Sequence, residues 1–142
     1  MSIKVLLVDD EKEFVELLGQ RMSTRGMEVT ATTSAADALK IAEERTFDVI
    51  VLDLMMPEMD GIEVLKNLKA KRPELQVILL TGHGTIDKGV EAMRLGAMDF
   101  VEKPADLDAL TEKIKKARAR KMILVERNLE EKVRNMLTGK RR

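Results

Sequence analysis

The chain has 142 residues, enough for one domain with a real core and tight for two. Its 44% hydrophobic and 35% charged content excludes disordered and membrane-embedded classes, and the absence of cysteine excludes disulfide staples and thiolate metal centres. The zero formal net charge hides a split, since residues 1–112 carry 13 basic against 22 acidic side chains and residues 113–142 carry 12 against 3.

No apolar stretch approaches about 18 residues, and the start MSIKVLLVDDEKEF turns acidic too soon for a secretory signal. A cytoplasmic location is therefore expected. The first strand is predicted in the apolar run from Ile3 to Val8, which ends in Asp9 and Asp10. Phe14, Leu17, Leu18 and Met22 then recur at helical spacing up to Gly26, a helix terminator. Met27 to Thr32 alternates as a second strand, and Ser34 is a candidate N-cap for a helix burying Ala38, Leu39 and Ala42. Phe47 leads into a third run, Val49 to Leu52, which ends in Asp53.

Pro57 and Gly61 bracket a loop before a helix with Ile62, Leu65 and Leu68 inward, closing near Arg72 and Pro73. A fourth strand, Leu75 to Leu80, runs into Thr81, Gly82, His83 and Gly84, where the glycines predict a flexible loop. A helix from about Thr85 to Leu95 is closed by Gly96, and Phe100 and Val101 form a fifth strand ending in Lys103 and Pro104. Asp106 is positioned to cap a last helix at Leu107. From Leu107 to Leu137 no Gly or Pro intervenes, so this helix is predicted to run about 30 residues. Leu107, Leu110, Ile114 and Ala117 suit packing on the sheet. Met122, Val125, Leu129, Val133 and Met136 keep one stripe beyond it that needs cover, and dimerisation through this helix is the preferred cover.

Runs rich in Val and Ile read as strands buried on both faces, and their alternation with amphipathic helices argues for a doubly wound α/β fold with a parallel sheet. Ligands in such sheets sit beyond the carboxyl ends of the strands, where Asp9, Asp10, Asp53, Thr81 and Lys103 all fall. Three crowded carboxylates call for a cation, and oxygen-only ligands favour Mg²⁺. Asp53 stands alone at a strand end and is the candidate nucleophile for phosphoryl transfer onto a carboxylate, with Lys103 and Thr81 suited to the phosphoryl oxygens. No Walker-type loop is present, which argues against a nucleotide as direct donor.

The motifs LLVDDE, VLDLMMPEMDG, LLTGHG and DFVEKP, in this order, resemble the receiver domain of bacterial two-component response regulators over residues 2–120. The resemblance implies a flavodoxin-like five-stranded sheet in the order 2-1-3-4-5, with residues 1–120 as the receiver domain and 121–142 as a helical extension. It implies that a sensor histidine kinase phosphorylates Asp53 and that Mg²⁺ is held by Asp10, Asp9 through water, Asp53 and the Met55 backbone carbonyl. Lys103 and Thr81 become the phosphate-binding pair, Thr81 and Phe100 the switch, Pro104 the partner of a peptide bond commonly cis in the family, and Gly82 a small residue leaving the phosphoryl path open. Phe100 stands where many relatives carry Tyr, so a switch here works by packing. Met55 and His83 occupy positions that tune phosphate lifetime in the family, while a lone His between glycines is more often an exposed loop residue.

The output partner is an unidentified protein. The run from Leu79 to Pro104 is most similar to activators of the nitrogen-regulation class, so the alternative is the receiver and linker of a sigma-factor-dependent transcription activator. A phosphatase of similar fold is disfavoured because Met55 stands where such an enzyme needs an acid. The basic tail lacks aromatic residues for stacking, which argues against direct nucleic-acid binding.

Overall fold

The computed structural model describes residues 2–57, 60–82 and 86–139. Five strands, β1 (Lys4–Val8), β2 (Glu28–Thr32), β3 (Val49–Asp53), β4 (Gln76–Thr81) and β5 (Asp99–Glu102), alternate with five helices. These are α1 (Lys12–Thr24), α2 (Ala35–Glu44), α3 (Gly61–Lys71), α4 (Ile86–Arg94) and α5 (Leu107–Thr138). The strands are all parallel, as the apolar runs implied, and stand in the order β2-β1-β3-β4-β5, as the resemblance to receiver domains implied. Strand order reverses between β1 and β3, which opens a crevice at their carboxyl ends.

The period of two along each strand divides the core into two layers. Leu6, Val8, Ile50, Leu52, Val77 and Leu79 face α2, α3 and Ala92 of α4. Val5, Leu7, Val49, Val51, Ile78, Leu80 and Val101 face α1 and α5, meeting Val15, Leu18, Met22, Leu110, Ile114 and Ala117. Leu17, expected on the inner stripe of α1, is instead 51% exposed. The helix sits in a phase that turns Val15, Leu18 and Met22 inward, and a residue adjacent to Leu18 lies about 100° around the axis.

Helix ends follow their side chains. Ser34 Oγ accepts the Asp37 N–H at 3.2 Å, Asp60 Oδ1 accepts that of Ile62 at 3.0 Å, and Asp106 Oδ1 accepts that of Asp108 at 3.0 Å. Gly139, at φ 74°, closes α5 in the left-handed conformation. The 32 residues of α5 span roughly 48 Å at 1.5 Å per residue. Lys121 ties it to the domain, its Nζ donating to the Phe47 carbonyl at 2.8 Å and pairing with Asp48 at 3.5 Å. Beyond it Met122, Val125, Leu129, Val133 and Met136 are all exposed. Among the described residues no helix is long and apolar enough to cross a membrane. The expected loop at His83, Gly84 and Thr85 lies outside the described residues.

The segment after β3 folds back on itself through a bridge between Met55 and Asp60 and a hydrogen bond from the Gly61 N–H to the Leu54 carbonyl at 3.1 Å. A Cβ on Gly61 would lie 2.6 Å from both Leu54 Cα and Leu54 O, so only glycine permits this approach. Gly61→Ala is expected to cost about 2 kcal/mol or more in urea denaturation, because backbone must move to relieve the overlap.

Candidate functional site

The parallel sheet brings one end of each strand to the same rim. Asp9 follows β1, Asp53 ends β3, Thr81 ends β4 and Lys103 follows β5, so four separate strands deliver the reactive groups. Asp9 is fully buried and Asp53 is 4% exposed. Asp10 turns outward and is exposed. One carboxylate oxygen from each of the three lies within 4.8 Å of the others. Neither Asp9 nor Asp10 caps α1, since that position belongs to Glu11, which makes no side-chain cap bond. Asp9 Oδ1 instead accepts the Glu11 N–H at 3.0 Å.

Lys103 holds this cluster together. Its Nζ lies 2.6 Å from Asp9 Oδ2, 2.8 Å from Glu11 Oε1 and 3.5 Å from Asp53 Oδ2, and 4.7 Å from the centroid of the Phe14 ring. The backbone fixes where the lysine starts, because its N–H donates to the Thr81 carbonyl at 2.8 Å. The Lys103-Pro104 peptide bond is cis. The Asp9 contact is an ion pair without hydrogen-bond alignment, and Asp9 Oδ2 has no hydrogen-bond partner although buried. Three carboxylates that each bring an oxygen within 4.8 Å of the others, two of them buried and with no nitrogen or sulfur among them, fit a hard divalent cation.

Burial raises the Asp53 pKa to about 6; the Met55 N–H, donated to its Oδ1 at 3.0 Å, opposes the shift, the Asp9 charge adds to it, and Lys103 opposes it again. Burial alone would lower the Lys103 pKa, but the close Asp9 and Glu11 carboxylates and the charge of Asp53 hold it above its ordinary value.

Thr81 is buried, with its hydroxyl donating to the Val101 carbonyl across the strand pair at 3.4 Å. It ends β4, five residues before the start of α4. Phe100 is 48% exposed and lines, with Thr81, Gly89, Val90, Met93 and Glu102, a cavity of about 290 Å³ between α4 and β5. Met55 is half-exposed beside Asp53. A Cβ on Gly82 would meet no atom within 4 Å, so the space around it is open. Glu11 and Phe14 were not singled out as site residues by the sequence reading. The available signal was their spacing of three on one helix, which puts them on one face a turn apart.

An open parallel sheet with acids at its switch point, and a threonine and a lysine at the ends of the strands beyond, defines a doubly wound domain with its charged and hydroxyl groups gathered at one rim. Residues 5–115 match the response regulator receiver domain, and the chain belongs to that family, which serves two-component signalling. It is 37% identical over 118 residues to the transcriptional regulatory protein ZraR of Salmonella typhimurium, covering 83% of this chain and 27% of ZraR. It is 40% identical over 128 residues to the C4-dicarboxylate transport transcriptional regulatory protein DctD of Pseudomonas aeruginosa, covering 89% and 28%. The chain thus spans just over a quarter of these relatives. A response regulator receiver domain from Clostridium thermocellum superposes with a TM-score of 0.83 at 33% identity, covering 86% of this chain and 98% of that one. NtrX from Brucella abortus does so at 0.84 and 32%, covering 90% of this chain and 30% of NtrX.

With the Asp53 pKa raised in the folded state, its contribution to stability is fully present below the unfolded value near 3.8 and is lost as pH rises through about 6. Without divalent cations, Asp53→Asn should therefore match the wild type near pH 4. It should gain about 1 to 3 kcal/mol between pH 4 and pH 7 and stay level above, measured by chemical denaturation in EDTA.

Proposed function

We propose that this receiver accepts a phosphoryl group on Asp53 from the phosphohistidine of a sensor histidine kinase and uses it to switch protein contacts. The observation that carries this reading is a buried carboxylate on a central strand facing an ammonium 3.5 Å away, with a buried hydroxyl on the next strand. Asp53 attacks phosphorus, the new bond forms to its carboxylate oxygen, and the phosphorus–nitrogen bond breaks with its electrons returning to the donor imidazole. Water later attacks the same phosphorus, releasing phosphate and restoring the carboxylate. Lys103 balances charge on the phosphoryl oxygens, and the Thr81 hydroxyl donates to one of them after leaving the Val101 carbonyl.

Asp9, Asp10, Asp53 and the Met55 carbonyl are the groups that would hold Mg²⁺. When bound it neutralises the carboxylates and draws electron density from the phosphoryl oxygens. Movement of Thr81 frees space beside the cavity it shares with Phe100, and the Phe100 ring turns in by packing alone, which reshapes the face of α4 and β5. Gly82 leaves the approach to Asp53 clear. The kinase and this domain meet in the cytoplasm.

A second reading concerns the whole protein. The first-named relatives are transcriptional regulators of which this chain spans about a quarter, and a 32-residue helix leaves the domain. We infer that residues 1–120 are the receiver, that 121–142 form a linker and dimerisation helix, and that an activator driven by an alternative sigma factor is the larger context. On that helix Glu126 and Glu130 flank one side of the apolar stripe and Lys132 the other.

Acetyl phosphate with Mg²⁺ should add one phosphoryl mass to the full chain, mapped to Asp53 after borohydride trapping; equal labelling of Asp53→Asn would remove the assignment. Leu129→Asp should turn a dimer into a monomer in sedimentation with the receiver still folded. A dimer indifferent to that change would move the interface to the globular domain.

A further inference from the structure

We infer that Glu11 and Phe14, on the first turn of α1, are positioning residues that set where the Lys103 ammonium stands, Phe14 as its floor and Glu11 as a counter-ion competing with Asp53. The inference rests on the proposed phosphorylation of Asp53 and adds two residues to it. A lysine head sits on four methylenes and three rotatable donors, so its position is set by what surrounds it. Two of its carboxylate neighbours, Asp9 and Asp53, belong to the cation cluster. Glu11 does not, yet its 2.8 Å contact is shorter than the 3.5 Å contact to Asp53.

Glu11 occupies the N-cap position of α1, where an acid ordinarily turns toward the free N–H groups of the first turn. It makes no such bond and its carboxylate reaches to Lys103 instead. Phe14 follows three residues later on the same face, half-buried against the α1 and α5 core layer, with its ring centroid 4.7 Å from Lys103 Nζ. Helix α1 thus offers the ammonium a π face below and a negative charge to one side. The side chain of Lys103 is only 17% exposed, so water screens its contact with the ring weakly, while the Glu11 side chain, 63% exposed, makes a more strongly screened contact.

The consequence is a divided lysine. In the unphosphorylated chain Glu11 draws the ammonium away from Asp53, and the Phe14 ring keeps it at the rim, within reach of oxygens arriving on Asp53. Loss of the Glu11 charge releases the lysine toward Asp53 and speeds phosphoryl acceptance. Loss of the ring lets the ammonium wander and slows it.

The full chain is assayed for its rate of phosphorylation by acetyl phosphate with Mg²⁺. Glu11→Gln should speed the reaction about two- to fivefold, as expected for removal of one partly exposed charge contact. Phe14→Leu should slow it about three- to tenfold, the span of a cation–π contact, and Phe14→Tyr should restore it. Both effects should vanish in a Lys103→Ala background, whereas a merely structural role leaves them intact. A second arm needs no phosphorylation: with ¹³C-labelled lysine, the ε-methylene of Lys103, assigned through Lys103→Arg, should be ring-shifted upfield in the unphosphorylated protein and lose that shift in Phe14→Leu. Unshifted Lys103, or single-variant rates equal to wild type, overturns the inference. Failure of the wild type to be labelled on Asp53 strikes the parent reading, and the lysine spectrum then decides the positioning claim.

Discussion

Two carboxylates removed from water at one rim, Asp9 fully and Asp53 nearly so, share a single ammonium. That arrangement is electrically incomplete, and the rest of the domain is arranged to hold it. Like charges this close oppose each other's ionisation, burial withdraws the solvent that would screen them, and Lys103 is already divided among three acids. Asp53 therefore keeps part of its charge as a standing cost. A group carrying such a cost responds strongly to whatever arrives with compensating charge, the property required of a receiver of signals.

The fold keeps the acids from relaxing apart. Asp53 closes a strand that is buried along its whole length between β1 and β4, and the loop after it is pinned by the contact of Gly61 with Leu54. Asp9 is tied to β2 through its N–H and to the start of α1 through its side chain. Lys103 enters from β5 with its N–H fixed to the Thr81 carbonyl. Thr81, on the strand next to that of Asp53, lines the cavity beside Phe100 together with the exposed Val90 and Met93. Helix α5 is anchored at Lys121 and carries an exposed apolar stripe from Met122 onward.

Much of this was legible in the residue order because parallel strands carry unusually plain signals. Runs such as Val49 to Leu52 and Val77 to Leu80 are buried on both faces, and the residue at the end of each run is delivered to the same rim by topology. The caps at Ser34 and Asp106 were equally readable, since a short polar side chain before an amphipathic run has one favoured use. Side-chain relations between elements were not. Glu11 and Phe14 meet Lys103 across 92 and 89 positions of sequence, and nothing local marks them. Leu17 was misjudged because α1 carries apolar residues at 14, 15, 17 and 18, and the surface formed by β1, β2 and α5 decides which of them turn inward. The tie from Lys121 to Phe47 and Asp48 was hidden because a lysine on a helix reads as solvated until the loop beneath it is known.

The charge imbalance at the rim is open to direct observation. Titration of the Asp53 side-chain carboxyl carbon by NMR should give a midpoint of about 6 in EDTA. Saturating Mg²⁺ should drive that midpoint down by more than about one unit, as a cation favours the ionised form. A midpoint near 4 that Mg²⁺ leaves unmoved would contradict the account.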